Sequence, residues 1–166
     1  MFSFTPFSDS RSRILILGSI PGPVALKKRE YYGFPGNHFW RIFSDLFAGG
    51  KTLSYREKKA LLRENRVALW DVIGSCRRTG ASDSSIRDVK RNDIAGLIRR
   101  RRGIRTIFLN GKTAEKLYRR YFGDLIRIPA YYLPSTSPAH ASMSYERKKE
   151  AWKKILPYLE NRNDWC

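Results

Sequence analysis

The chain has 166 residues, and its 33 Lys and Arg against 15 Asp and Glu leave a net charge of +18. That length fits one compact domain over residues 1–166, and 42% hydrophobic with 13% aromatic residues can fill a core, which excludes an intrinsically disordered chain. The charge imbalance points to a polyanionic partner, set against the plainer reading of a surface kept basic for solubility.

Two cysteines, Cys76 and Cys166, stand far apart. They imply neither a disulfide framework nor a zinc site, and they are too few for a four-cysteine iron–sulfur cluster. No metal or other cofactor is expected. Met1 to Ser10 lacks the charged and apolar regions of a secretory signal, and no apolar run reaches membrane-spanning length. A cytoplasmic, soluble protein with reduced thiols is therefore expected; a monomer, in a bacterial or archaeal cell and active near the nucleoid, is a separate expectation.

The first predicted strand is Ile14–Leu17, which runs into the turn Gly18-Ser19-Ile20-Pro21-Gly22. Glycines there permit close backbone approach, and the turn's amides can hold a carbonyl or phosphate oxygen. As a bare pattern it is equally an ordinary turn, and both the dinucleotide fingerprint and the phosphate loop are missing. Lys27-Lys28-Arg29 follows in what reads as a rim loop.

Next comes the densest segment, Tyr31 to Trp40, with five aromatics around Pro35-Gly36-Asn37. Phe39, Ile42, Phe43, Leu46 and Phe47 keep helical spacing, so Phe39 reads as core. Tyr32, in the loop, is the better platform for a flat ring. Asn37 starts the helix and suits a cap, or faces a pocket, or does both.

Ser54-x-x-Glu57 reads as a capping box opening a second helix through Ala60, Leu61 and Leu62. Val67–Trp70 is the second strand, followed by Asp71. Gly74 to Ser85, rich in Ser, Gly and Arg, reads as a loop carrying Arg77-Arg78. Ile94, Leu97 and Ile98 mark a third helix, Thr106–Leu109 a third strand, and Ala114 to Phe122 a fourth helix stopped by Gly123. Ala130–Leu133 is the fourth strand, leading into the loop Pro134 to Ser144, and Trp152, Ile155, Leu156 and Leu159 mark a last helix.

The strands are continuously apolar, as expected when both faces are covered, and they alternate with helices. The expected fold class is therefore α/β, with a parallel sheet between two helical layers. Ligands of such sheets gather beyond the carboxyl ends of the strands. The Gly18–Gly22 turn, Asp71, Asn110 to Thr113 and Pro134 to His140 all fall on that one rim. Among the basic runs, Lys27, Lys28, Arg77 and Arg78 are candidates for DNA backbone contact. Ser135, Thr136 and Ser137 form a hydroxyl-rich loop fit to grip a phosphate, or a plain connector. His140 is one of two histidines, a candidate donor to phosphate or simply solvated.

These residues resemble the uracil-DNA glycosylase superfamily, and within it the DNA-deoxyinosine (hypoxanthine-DNA) glycosylases. The resemblance rests on Gly18 to Gly22, Tyr31 to Trp40, Leu69-Trp70-Asp71-Val72-Ile73, Leu109 to Ala114 and Leu133 to Ala139, in order across most of the chain. It implies a three-layer α/β/α fold with a four-stranded parallel sheet, and removal of a flipped base from double-stranded DNA that contains a deaminated base. It further implies that Asn37 is catalytic and that Tyr32 stacks on the base. Gly18, Ser19, Ile20, Pro21, Gly22, Asp71 and Ser135 would surround the base, and the Ser135–Ser137 loop would wedge the duplex. Ile20 stands where several relatives carry a water-activating Asp or Asn, and His140 departs from the residue expected after the loop. A monofunctional hydrolase is expected, with no lysine placed for a Schiff base. The alternatives are a uracil or mismatch-specific glycosylase, an inactive damage-binding module, and an ordinary nucleotide-binding domain.

Overall fold

The computed structural model describes residues 1–160. Cys166 lies outside the described residues. Four strands, β1 (Ile14–Gly18), β2 (Val67–Asp71), β5 (Thr106–Asn110) and β6 (Ala130–Leu133), form one parallel sheet in the order β2-β1-β5-β6. Three of the four run one residue beyond their apolar stretch, and the added residues Gly18, Asp71 and Asn110 all stand at the carboxyl rim.

Side-chain alternation through β1 explains the continuous apolar reading. Ile14 and Ile16 point into one core with Phe39, Phe43, Leu62, Phe108 and Trp152, whereas Leu15 and Leu17 point into a second core with Ile94, Leu97, Ile107, Tyr118 and Phe122. The first core lies under α2 (Phe39–Phe47), α3 (Tyr55–Glu64) and α6 (Tyr145–Trp152). The second lies under α4 (Ile94–Arg100) and α5 (Lys112–Phe122). Every β1 side chain is fully buried, so the strand has no polar-out face. The capping box at Ser54 and Glu57 is formed in both directions.

Three segments differ from the sequence reading. Lys27 and Lys28 are the last turn of a short helix, α1 (Pro23–Lys28), and not part of a loop; Pro23 at the first helical position favours this start. The supposed loop from Gly74 contains an antiparallel hairpin, β3 (Ile73–Arg77) with β4 (Arg87–Arg91), so only 78–86 is connection. Its strands read poorly because β4 is Arg-Asp-Val-Lys-Arg; a small cluster of Ile20, Ile73 and Cys76 with Ile86 and Val89 holds it instead. The last helix begins earlier, at Tyr145, and beyond Trp152 the chain tightens into 3-10 turns over Lys153–Tyr158. Pro157 explains this, since proline lacks an N–H and its ring crowds the carbonyl four residues back.

At the N-terminus, Phe7 exchanges two backbone hydrogen bonds of 2.9 Å with Leu69 and so covers the outer edge of β2. No helix among the described residues is long and apolar enough to cross a membrane.

Candidate active site

Sheet order places the chain's change of direction at β1 and β5, whose following segments leave to opposite sides; such a point opens a crevice. A cavity of about 800 Å³ lies there. It is lined by the Gly18–Gly22 turn, Tyr31, Tyr32, Asn37, Asp71, Asn110, the loop from Ser135 to His140, and residues 81–84 of the hairpin connection. The scattered sequence candidates thus meet in one volume.

Asn37 is both cap and pocket wall. Its Oδ1 accepts the Phe39 amide at 3.0 Å as α2 begins. Because that amide only donates, the oxygen end of the carboxamide is fixed there, and the NH₂ end has no hydrogen-bond partner among the described residues. Tyr32 sits at φ 53°, a left-handed conformation costly for a bulky residue. Its ring is held in place by stacking on Phe39, with centroids 4.1 Å apart, and Phe39 stacks in turn on Phe43. The Tyr32 phenol is pushed to a higher pKa, first by burial and then by the charge of Asp71.

Asp71 ends β2 opposite Gly18 and is 4% exposed. A side chain on Gly18 would place Cβ 2.6 Å from Asp71 Oδ1 and 3.3 Å from the Tyr32 hydroxyl, so only glycine lets these groups meet. Asp71 Oδ2 is buried without a hydrogen-bond partner, and burial pushes the carboxyl up to about 7. Its backbone carbonyl accepts Asn92 Nδ2 at 2.8 Å.

In the turn, the carbonyls of Gly18, Ser19, Pro21 and Gly22 are all engaged by the protein, by Val72, Ile73, Arg78 and Leu26 respectively. Ile20 is 7% exposed and packs beneath the hairpin, where it anchors that element.

The 134–140 loop is tied at several points. Asn110 bonds both the Thr136 amide and its hydroxyl at 3.0 Å, and the Thr136 carbonyl accepts the His38 amide at 2.9 Å. Gly111, at φ 93°, lets the chain pass close to Ser135. Ser135 Oγ accepts the Ser137 amide, Ser137 Oγ accepts the Ala139 amide, and the buried ammonium of Lys148 donates to the Ser137 carbonyl at 3.1 Å. His140 Nε2 is buried at the cavity without a partner.

Two expected DNA contacts have another place. Thr136 is fully buried, and its hydroxyl serves Asn110, so it is a tie between loops and offers no surface to a phosphate. Arg78 has a side chain only 1% exposed; it donates to the Pro21 carbonyl at 2.6 Å and lies 3.9 Å from Asp83, strapping the hairpin connection to the turn. Ser19 Oγ also reaches Asp83, at 3.5 Å. By contrast Lys27, Lys28 and Arg77 are exposed. Lys112, which the sequence reading left out of any role, lines the cavity at the start of α5. Asn110, placed on the rim but given no role, ties the loop through Thr136; Asn92 and Lys148 were missed, since each acts through a contact distant in sequence and has no local signature. Among the described residues no group of three or more His, Cys, Asp or Glu is placed to hold a metal.

The family model described as the uracil DNA glycosylase superfamily matches residues 5–160, and the chain belongs to that superfamily. It is 35% identical to a hypoxanthine DNA glycosylase of Methanosarcina acetivorans over 92% of this chain and 96% of the relative. It is 31% identical to a hypoxanthine DNA glycosylase of Methanosarcina barkeri over 90% and 93%. The solution NMR structure of a candidate uracil DNA glycosylase from Methanosarcina acetivorans superposes with a TM-score of 0.82 at 34% identity, covering 96% of this chain and 98% of that one.

Proposed function

We propose that this protein is a monofunctional DNA glycosylase that hydrolyses the N-glycosidic bond of a flipped deaminated base, hypoxanthine foremost, in double-stranded DNA. The observation that carries this reading is the convergence of the Asn37 carboxamide, the Tyr32 ring and the Gly18–Gly22 turn on one cavity. Two relatives named for hypoxanthine support the choice of base. It acts as a single-domain monomer near the nucleoid and needs no cofactor.

The target nucleotide leaves the stack at a cost of a few kcal/mol, least where pairing is already poor, as for a deaminated base. Tyr32 stacks on the ring. Four of the turn's five carbonyls are spent inside the protein, and the turn offers its amides to the base edge, beside Asp71. As the glycosidic bond lengthens, the sugar becomes cationic and the base anionic. Donors aimed at the base stabilise it, and the DNA's own phosphates favour the cation. Asn37 holds the attacking water. An amide is no general base, so it contributes by position, and a reactive sugar cation needs little more. Ile20, sequestered under the hairpin, takes no part in activating that water.

The deciding experiment is single-turnover base release from duplexes carrying inosine, uracil, xanthine or a thymine mismatch. Inosine should react fastest and leave an intact abasic strand. Faster release of uracil would make this a uracil glycosylase, and strand cleavage would bring Lys112 into the chemistry as an amine nucleophile. Binding without release on every duplex would leave only a damage sensor.

A further inference from the structure

We propose that Asp71 reads the flipped base as a neutral carboxylic acid, its hydroxyl donating to the ring carbonyl and its remaining oxygen accepting the adjacent ring N–H. This rests on the glycosylase reading above and specifies how the base is recognised.

The geometry is that of a donor waiting for a ligand. Asp71 is nearly sealed from solvent, lines the cavity, and no hydrogen bond or ion pair among the described residues reaches either carboxyl oxygen. Gly18 and Tyr32 crowd it on the protein side, and Asn92 holds its backbone from behind. The titratable and charged groups that share the cavity with it are the phenols of Tyr31 and Tyr32 from the 31–37 segment, which lie nearest, and Tyr132 from β6. Arg78 and Asp83 come from the hairpin connection, Lys112 from α5 and His140 from the 134–140 loop. Of these, Arg78 is already bound to Pro21 and near Asp83. Nothing cationic is paired with Asp71, and burial alone pushes its carboxyl up to about 7.

A carboxylate has only acceptors. Against a base with a carbonyl next to a ring N–H, it would accept the N–H and repel the carbonyl. It would also oppose the negative charge that grows on the departing base. The protonated acid has one donor and one acceptor, side by side, which match that edge and stabilise the anion, as a neutral buried acid does elsewhere. The substrate class is therefore bases with a lactam edge, which deamination creates.

The test is single-turnover release from an inosine duplex between pH 6 and 8.5, for the wild type and Asp71→Asn. The amide keeps one donor and one acceptor in the same shape and cannot ionise. The wild-type rate should fall about tenfold for each pH unit above neutrality, as the acid form disappears. The Asp71→Asn rate, lower or not than that of the wild type, should stay level across the same range. Should the variant not fold, inhibition of the wild type by free hypoxanthine gives the same answer, weakening with the same pH dependence. A level wild-type profile, a parallel fall in the variant, or a folded, duplex-binding variant without activity would each overturn this assignment alone. Failure of the wild type to release hypoxanthine at any pH would overturn the parent reading and this one with it.

Discussion

In the proposed function, Asn37 serves structure with one end of its side chain and chemistry with the other. The oxygen closes the entry to α2 through Phe39, and the NH₂ end remains for the cavity. Substitution can separate the two duties. Asn37→Ser retains an oxygen near Phe39 N and loses the NH₂; Asn37→Ala loses both. Base release should drop about 100-fold or more in both variants, the usual cost of one oriented polar group, while affinity for damaged duplex persists. Only Asn37→Ala should also lose about 1 kcal/mol of stability, the worth of a helix cap. Release by Asn37→Ser at the wild-type rate would reduce Asn37 to a cap. Sequence alone allowed a cap, a pocket group or both, since nothing in Pro35-Gly36-Asn37 tells which end of the amide the helix takes.

Among the elements, the strands and the helices α2 to α5 were legible, because a strand buried on both faces is apolar throughout and an amphipathic helix repeats every three or four residues. The β3–β4 hairpin was not: Arg87 to Arg91 offers one half-buried valine, and the cluster it packs on includes Ile20, more than sixty residues away. Likewise the rim loops were identifiable, but the knot joining them was not. Asn110 at the end of β5 satisfies both polar groups of Thr136, whose carbonyl in turn takes the amide next to Asn37. The 134–140 loop and the segment carrying Asn37 are therefore one connected unit. Asn110→Ala strands the buried Thr136 amide and hydroxyl, and should cost about 1–3 kcal/mol in denaturant unfolding. Amide exchange at Thr136 should accelerate, and base release should fall further than the stability loss explains. Unaltered exchange at Thr136 would show that the knot is dispensable.

For the whole molecule, the dominant quantity is the net charge of +18. Apart from ties such as Arg78 and Lys148, fold and cavity call for little of it, whereas tracking a duplex does. The logarithm of the affinity for undamaged duplex should fall linearly with the logarithm of salt concentration, with a slope of about −0.9 per phosphate contacted. Replacing Lys27, Lys28 or Arg77 should each shallow that slope by about one contact, whereas Arg78 should weaken the pocket and leave the slope unchanged. Salt-independent binding would remove the electrostatic role. Finally, the hairpin packs over the sandwich through a very small patch of apolar surface, and Cys76 is in it, 4% exposed and free. A thiol so placed meets solvent only when that flap lifts. With Cys166 exchanged for serine, alkylation kinetics become a clock for breathing of the pocket wall, read in ordinary buffer and without a label near the reacting base.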